Sequence, residues 1–218
     1  LTQLMVGSEG TLGIVTKIVL KLLPQNKHNV LLLVPFYKAD QACEAVSAIF
    51  RAGIVPSALE FMERDAIDWT LKFVDGLNVE VKDNVQAHLL IEVDGNYPEI
   101  LMQEAEQILA VVEQFEIDEV LFADTEEQKN ALWKMRRSVA EAVKANSIYK
   151  EEDTVVPRYE LPKLLKGIKE IGAKYGFQSV CYGHAGDGNL HVNIIKGNMT
   201  DDNWKTEVPK GIREIFEL

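Results

Sequence analysis

Tyr182-Gly-His-Ala-Gly-Asp-Gly-Asn-Leu-His-Val-Asn193 sets a turn signal between two histidine-bearing arms, and its pairing decides how the second half of the chain is read. Asp187-Gly188 favours a type I′ turn, because both central residues need φ > 0 and glycine supplies that freely. Pairing outward predicts Gly186 opposite Asn189, Ala185 opposite Leu190 and His184 opposite His191. Directly opposed residues hold their Cβ atoms about 4.5–5.5 Å apart, so both imidazoles would reach one cation. The same count puts Tyr182, Asn189 and Asn193 on the histidine face, and Cys181, Ala185, Leu190, Val192 and Ile194 on the other. A lone histidine pair reads more simply as a cross-strand contact. A stripe this polar opposite an apolar one points instead to chemistry. Two histidines are half a metal site, since catalytic zinc usually has three protein ligands and an open position.

Composition bounds the remaining choices. A net charge of -11 and a pI near 4.9 argue against nucleic acid or an anionic membrane as the main partner. No apolar run approaches the roughly 18 residues of a membrane span, and no signal-peptide pattern is present, so the expectation is a soluble protein. Cys43 and Cys181 sit in a chain large enough to need no disulfide, which favours a reducing, cytoplasmic setting. The chain starts at Leu1 without methionine. At the other end Trp204, Val208, Ile212, Ile215 and Phe216 keep helical spacing up to Leu218 without a stop signal, so the chain reads as a piece of a longer protein.

Between the ends the pattern is α+β. Strands are expected at 14–22, 29–36, 57–62, 87–93, 119–123 and 149–156, the last stopped by Pro157. Helices are expected at 39–52, from Arg64-Asp65 to Phe73, at 98–115, and at 161–175 before Gly176. Residues 76–84 read as polar and turn-like. Asp124 or Thr125 would cap one long helix to about Asn146, with Glu127 closing a capping box. Two successive strand-helix-strand units predict a ferredoxin-like antiparallel sheet with helices on one face, plus a helical and hairpin extension.

At this point the residues carry a resemblance. His184-Ala-Gly-Asp-Gly-Asn-Leu-His191 closely resembles the metal-site motif in the C-terminal domain of FAD-linked oxidases, the group of glycolate oxidase, D-lactate dehydrogenase and D-2-hydroxyglutarate dehydrogenase. Gly7-Ser-Glu-Gly-Thr-Leu-Gly-Ile-Val-Thr16 looks like the segment that closes the family's FAD-binding domain. Leu132-Trp-Lys-Met-Arg-Arg-Ser138 and Tyr149-Lys-Glu-Glu-Asp-Thr-Val-Val-Pro157 look like its substrate-binding helix and following strand. The resemblance implies residues 1–23 as the closing segment of an otherwise absent FAD-binding domain, and residues 24–218 as a substrate-binding domain truncated at its C-terminal end.

The implied chemistry is flavin-dependent oxidation of a small 2-hydroxy acid. His184 and His191 would hold a divalent metal, zinc by ligand type. Arg136 and Lys150 would hold the substrate carboxylate, and Asn193 would hydrogen-bond substrate or metal-bound water. Gly7, Ser8, Glu9, Gly10, Gly13 and Ile14 would lie along FAD, whose main binding residues belong to the absent domain. The family's third ligand, the Glu of a downstream Gly-Glu-His-Gly, is not in the sequence. Ala140 stands where members acting on a longer dicarboxylate carry a hydroxyl, which favours a short acid. Implied partners are the FAD-binding domain and an electron-acceptor protein or iron-sulfur subunit. Two readings remain beside this one: a ferredoxin-like sensing or interaction module with structural histidines, and a metal hydrolase, disfavoured because no further His/Glu pair has metal spacing.

Overall fold

In the run Val30–Val34 every side chain is apolar, the pattern of a strand buried on both faces. The computed structural model, which describes residues 1–77 and 79–218, places this run in the seven-stranded sheet. Strands are β1 (His28–Phe36), β2 (Ala58–Glu63), β3 (Ala87–Gly95), β4 (Leu121–Phe122), β5 (Tyr149–Val155), β6 (Gln178–Gly183) and β7 (Asn189–Ile195). Helices are α1 (Thr2–Met5), α2 (Ala39–Arg51), α3 (Arg64–Phe73), α4 (Pro98–Val112), α5 (Glu126–Arg137), α6 (Val139–Asn146), α7 (Leu161–Tyr175), α8 (Asp201–Thr206) and α9 (Val208–Ile215). The strand order is β4-β1-β3-β2-β6-β7-β5, antiparallel at every named pairing. Its first four strands have the ferredoxin-like order expected, and the hairpin extends the sheet from β2.

Strand alternation divides the core in two. Leu32, Val34, Phe36, Leu89, Ile91 and Val192 pack under α2, α4, α7 and α9. Leu31, Leu33, Leu90, Met62 and Tyr182 face the other way, against Ala66 and Ile67 of α3, Leu132 and Met135 of α5, and Val139 and Val143 of α6. The ferredoxin helices α2 and α4 share one face, and the helical extension covers the opposite one.

Four local expectations change. Residues 14–22 form no strand, and Ile14, Val19 and Leu22 stand 89%, 89% and 87% exposed, because strand groups need a partner and no described strand pairs with them. The long helix breaks at Ser138, whose N–H is shared between the carbonyls of Lys134 (3.1 Å) and Met135 (3.2 Å). Its capping box pairs Thr125 with Gln128 rather than Glu127, since Thr125 is the N-cap and Gln128 the third helical residue. The last helical stretch is likewise split, into α8 and α9 at Glu207. The stretch 76–84 forms no element among its described residues, and Asn78 lies outside them.

His88, opposite Pro35 and Met62, is 1% exposed, and its Nδ1 has no hydrogen-bond partner among the described residues. Burial first, then the Arg64 charge, pull its pKa from 6.5 to about 4, against Asp68. With the folded pKa depressed, the unfolded chain binds the extra proton as pH falls. Its contribution is therefore whole above about pH 6.5 and is lost progressively down to about pH 4, a change of about 3 kcal/mol. Urea unfolding at neutral pH and near pH 4 should show this loss in the wild type and little of it in His88→Leu. Equal losses in the two proteins would contradict it.

Candidate active site

The two arms of the hairpin meet with Tyr182 opposite His191, not His184 opposite His191. The turn is wider than expected. Ala185–Asp187 form one 3-10 turn, Gly188 takes φ 77°, and the carbonyl of His184 accepts from the N–H of Asp187 (2.9 Å) and Asn189 (3.2 Å). A type I′ turn would reverse the chain at Asp187-Gly188 alone; here it leaves the strand before His184. Because the register shift is two residues, each side chain keeps its expected face. Cys181, Ala185, Leu190, Val192 and Ile194 enter the apolar core as expected. The rings of His184 and His191 come to 5.8 Å, edge to face, and His191 lies 5.1 Å from the Tyr182 ring.

Neighbouring strands and α5 complete the site. Met62 of β2 pairs with Tyr182, so Glu60 falls beside His184 at the next same-face position. Glu60 is only 6% exposed, and its Oε1 is 2.8 Å from His184 Nδ1. Arg136, 7% exposed, reaches down from α5: its Nε donates to Glu60 Oε2 at 2.8 Å, and Nη2 lies 2.7 Å from the same oxygen without an aligned hydrogen bond. The guanidinium also covers the Tyr182 ring at 5.1 Å. On β5, Asp153 and Glu151 oppose His191 and Asn193, and each carboxylate is 3.4 Å from His191 Nδ1.

The polar balance is incomplete in a telling way. His191 Nδ1 and Asn193 Oδ1 are buried without a hydrogen-bond partner among the described residues. Asn193 donates a long bond, 3.4 Å, to the carbonyl of Val180. Orphaned buried groups are costly, so such atoms mark places where a ligand or ion satisfies them. Burial, then the Glu151 charge, push the Tyr182 hydroxyl up to about 12, so it stays protonated as a donor. Two adjacent imidazoles with carboxylates beside them fit two ligands of a divalent cation, although no group of three or more His, Cys, Asp or Glu among the described residues is arranged to hold one.

Residues 25–215 match the family model described as FAD linked oxidases, C-terminal domain. The chain belongs to the FAD-linked oxidases. It is 38% identical to the glycolate oxidase subunit GlcD of Bacillus subtilis, over 100% of this chain and 45% of that protein. It is 36% identical to a D-lactate dehydrogenase of Anaerostipes hadrus, over 99% of this chain and 46% of that protein. The chain thus spans less than half the length of these relatives. Among solved structures it is similar in fold to an alkyldihydroxyacetonephosphate synthase, with TM-score 0.63 and 13% identity over 99% of this chain and 44% of that one.

Within this FAD-linked oxidase domain, Arg136, His184, His191 and Asn193 come together, but Lys150 does not join them. Lys150 opposes Ile194, whose side chain lies in the α2-α7 core, and its Nζ sits 5.9 Å from the Trp204 ring on that side. The odd-numbered positions of β5, Glu151 and Asp153, face the histidines instead, because successive strand residues alternate faces. Gly7, Ser8, Glu9, Gly10, Gly13 and Ile14 lie in the exposed leading segment. Gly7, Glu9 and Gly10 have φ of 76°, 48° and 77°, and hydrogen bonds in this stretch run among Met5, Ser8 and Thr11. Such an open backbone fits close approach of a cofactor. His28 is exposed at the start of β1. Glu60 was not legible as a site residue; its one signal was an acid flanked by the apolar Leu59 and Phe61 in the interior of a strand.

No helix among the described residues is long and apolar enough to cross a membrane.

Proposed function

We propose that this chain is the substrate and metal domain of an FAD-dependent oxidoreductase that oxidises a small 2-hydroxy acid of the D-lactate or glycolate type. The observation that carries the reading is the convergence of Arg136, His184, His191 and Asn193 on one sheet face of an FAD-linked oxidase. The names of the relatives support the substrate class, and Ala140 favours a short acid.

Arg136 is held by Glu60 and Tyr182, which leaves a planar, fixed-charge donor for the substrate carboxylate. Asn193 offers its unpartnered Oδ1 as acceptor for the substrate hydroxyl or for water. Tyr182 keeps its proton, so its hydroxyl is available as a hydrogen-bond donor and not as a base. His184 and His191 hold a divalent metal, zinc by ligand type, and Gly7 to Ile14 lie along the flavin. When bound, a metal held by His184 and His191 would lower the pKa of the substrate hydroxyl, whose proton would leave to solvent, and FAD would supply the acceptor for the C2 hydride. Partners are the FAD-binding domain and an electron-acceptor protein or iron-sulfur subunit, for which the word subunit in the Bacillus relative's name is the support. Two free buried cysteines suit a cytoplasmic setting.

Chelator dialysis of the full-length protein is expected to lower turnover of D-lactate or glycolate by about 100-fold or more, and zinc should restore it. Full turnover by protein shown to be free of divalent metal would refute the metal.

A further inference from the structure

The proposed chemistry gives Glu60 no contact of its own with substrate, metal or flavin. It nevertheless stands on β2 between β3 and β6, 6% exposed, with its two oxygens divided between two functional side chains. Oε2 serves Arg136 at 2.8 Å, and Oε1 serves His184 Nδ1 at 2.8 Å. Arg136 can only donate, so Glu60 is an acceptor toward it. An acceptor oxygen facing His184 requires the proton on Nδ1, which leaves the lone pair on Nε2. The His184 side chain is 54% exposed, so its remaining ring edge stays open to a ligand.

We propose that Glu60 is a positioning residue: it holds His184 as the Nδ1–H tautomer, making Nε2 the ligating atom, and fixes Arg136 in the same frame. One side chain then sets the distance between metal-binding and carboxylate-binding groups. A carboxylate behind a ligating histidine orients the ring and raises its basicity. The proposal rests on the metal reading above, and goes beyond it by assigning the ligating nitrogen and the residue that selects it.

Glu60→Gln separates positioning from mere filling of space. Beside a donor-only Arg136, the new amide turns its oxygen to the guanidinium and its NH2 to His184. Nδ1 must then accept, and the proton moves to Nε2. The full chain, labelled with 15N in its histidines and stripped of metal, should show neutral His184 as Nδ1–H in the wild type and as Nε2–H in Glu60→Gln. Zinc affinity should fall about 10–100-fold in the variant. An Nε2–H His184 in the wild-type spectrum overturns the proposal without recourse to any variant. So does Glu60→Gln binding zinc as tightly as wild type while His184→Ala does not. If His184→Ala itself leaves zinc affinity unchanged, it is the metal reading that fails.

Discussion

Arg136→Met is expected to destabilise the fold by about 3–5 kcal/mol, because it leaves the largely buried Glu60 carboxylate without its fixed positive partner. The two side chains are 9% and 8% exposed and their closest atoms are 2.7 Å apart, so neither has solvent to fall back on. His184, the other partner of Glu60, cannot replace a fixed positive charge that also lies over the Tyr182 ring. The double variant Glu60→Gln/Arg136→Met should recover most of the loss, since a buried ion pair replaced at both ends by neutral groups is often close to neutral in stability. Denaturant unfolding of wild type, both single variants and the double gives the coupling directly. A single-variant loss below about 1 kcal/mol would mean that the pair behaves like a solvated surface bridge.

Gly188→Ala should dismantle the histidine hairpin. The residue sits at φ +77°, and a Cβ there would meet the carbonyl oxygen of Val156 at 2.0 Å, which is backbone and has no rotamer to change. The unfavourable dihedral alone costs about 1–3 kcal/mol, and the clash adds to it by forcing the turn away from the end of β5. Gly176→Ala is the matched control. It has the same φ of +77° but no atom of the described residues within 4 Å of an added Cβ, so it isolates the dihedral cost. Thermal unfolding should rank Gly188→Ala well below Gly176→Ala, and zinc binding should be lost only in the former. Equal effects would show that the Val156 contact yields easily.

The ferredoxin-like half was legible because its signals are local. The run Val30–Val34, the stripe on α2 and the Gly176 stop after α7 each name an element, and two strand-helix-strand units in succession name the order. Face was legible wherever parity could be counted from a pair: the expected side of Cys181, Val192 and Ile194 survived a turn of the wrong width. What stayed hidden depends on pairing across the chain. Lys150 and Glu151 are neighbours in sequence, and only the β5–β7 register says which of them faces His191 and Asn193. Glu60 acquires meaning only when Arg136, 76 residues away, closes over it. Residues 14–22 alternate like a strand, but alternation specifies a face and not a partner.

The most direct measurement is anaerobic mixing of the FAD-loaded full-length protein with D-lactate or glycolate, following bleaching of the flavin. The wild type should bleach with at least one of these acids, and His184→Ala and His191→Ala should bleach about 100-fold more slowly or not at all. Bleaching of both variants at the wild-type rate would contradict a substrate site built on the two histidines.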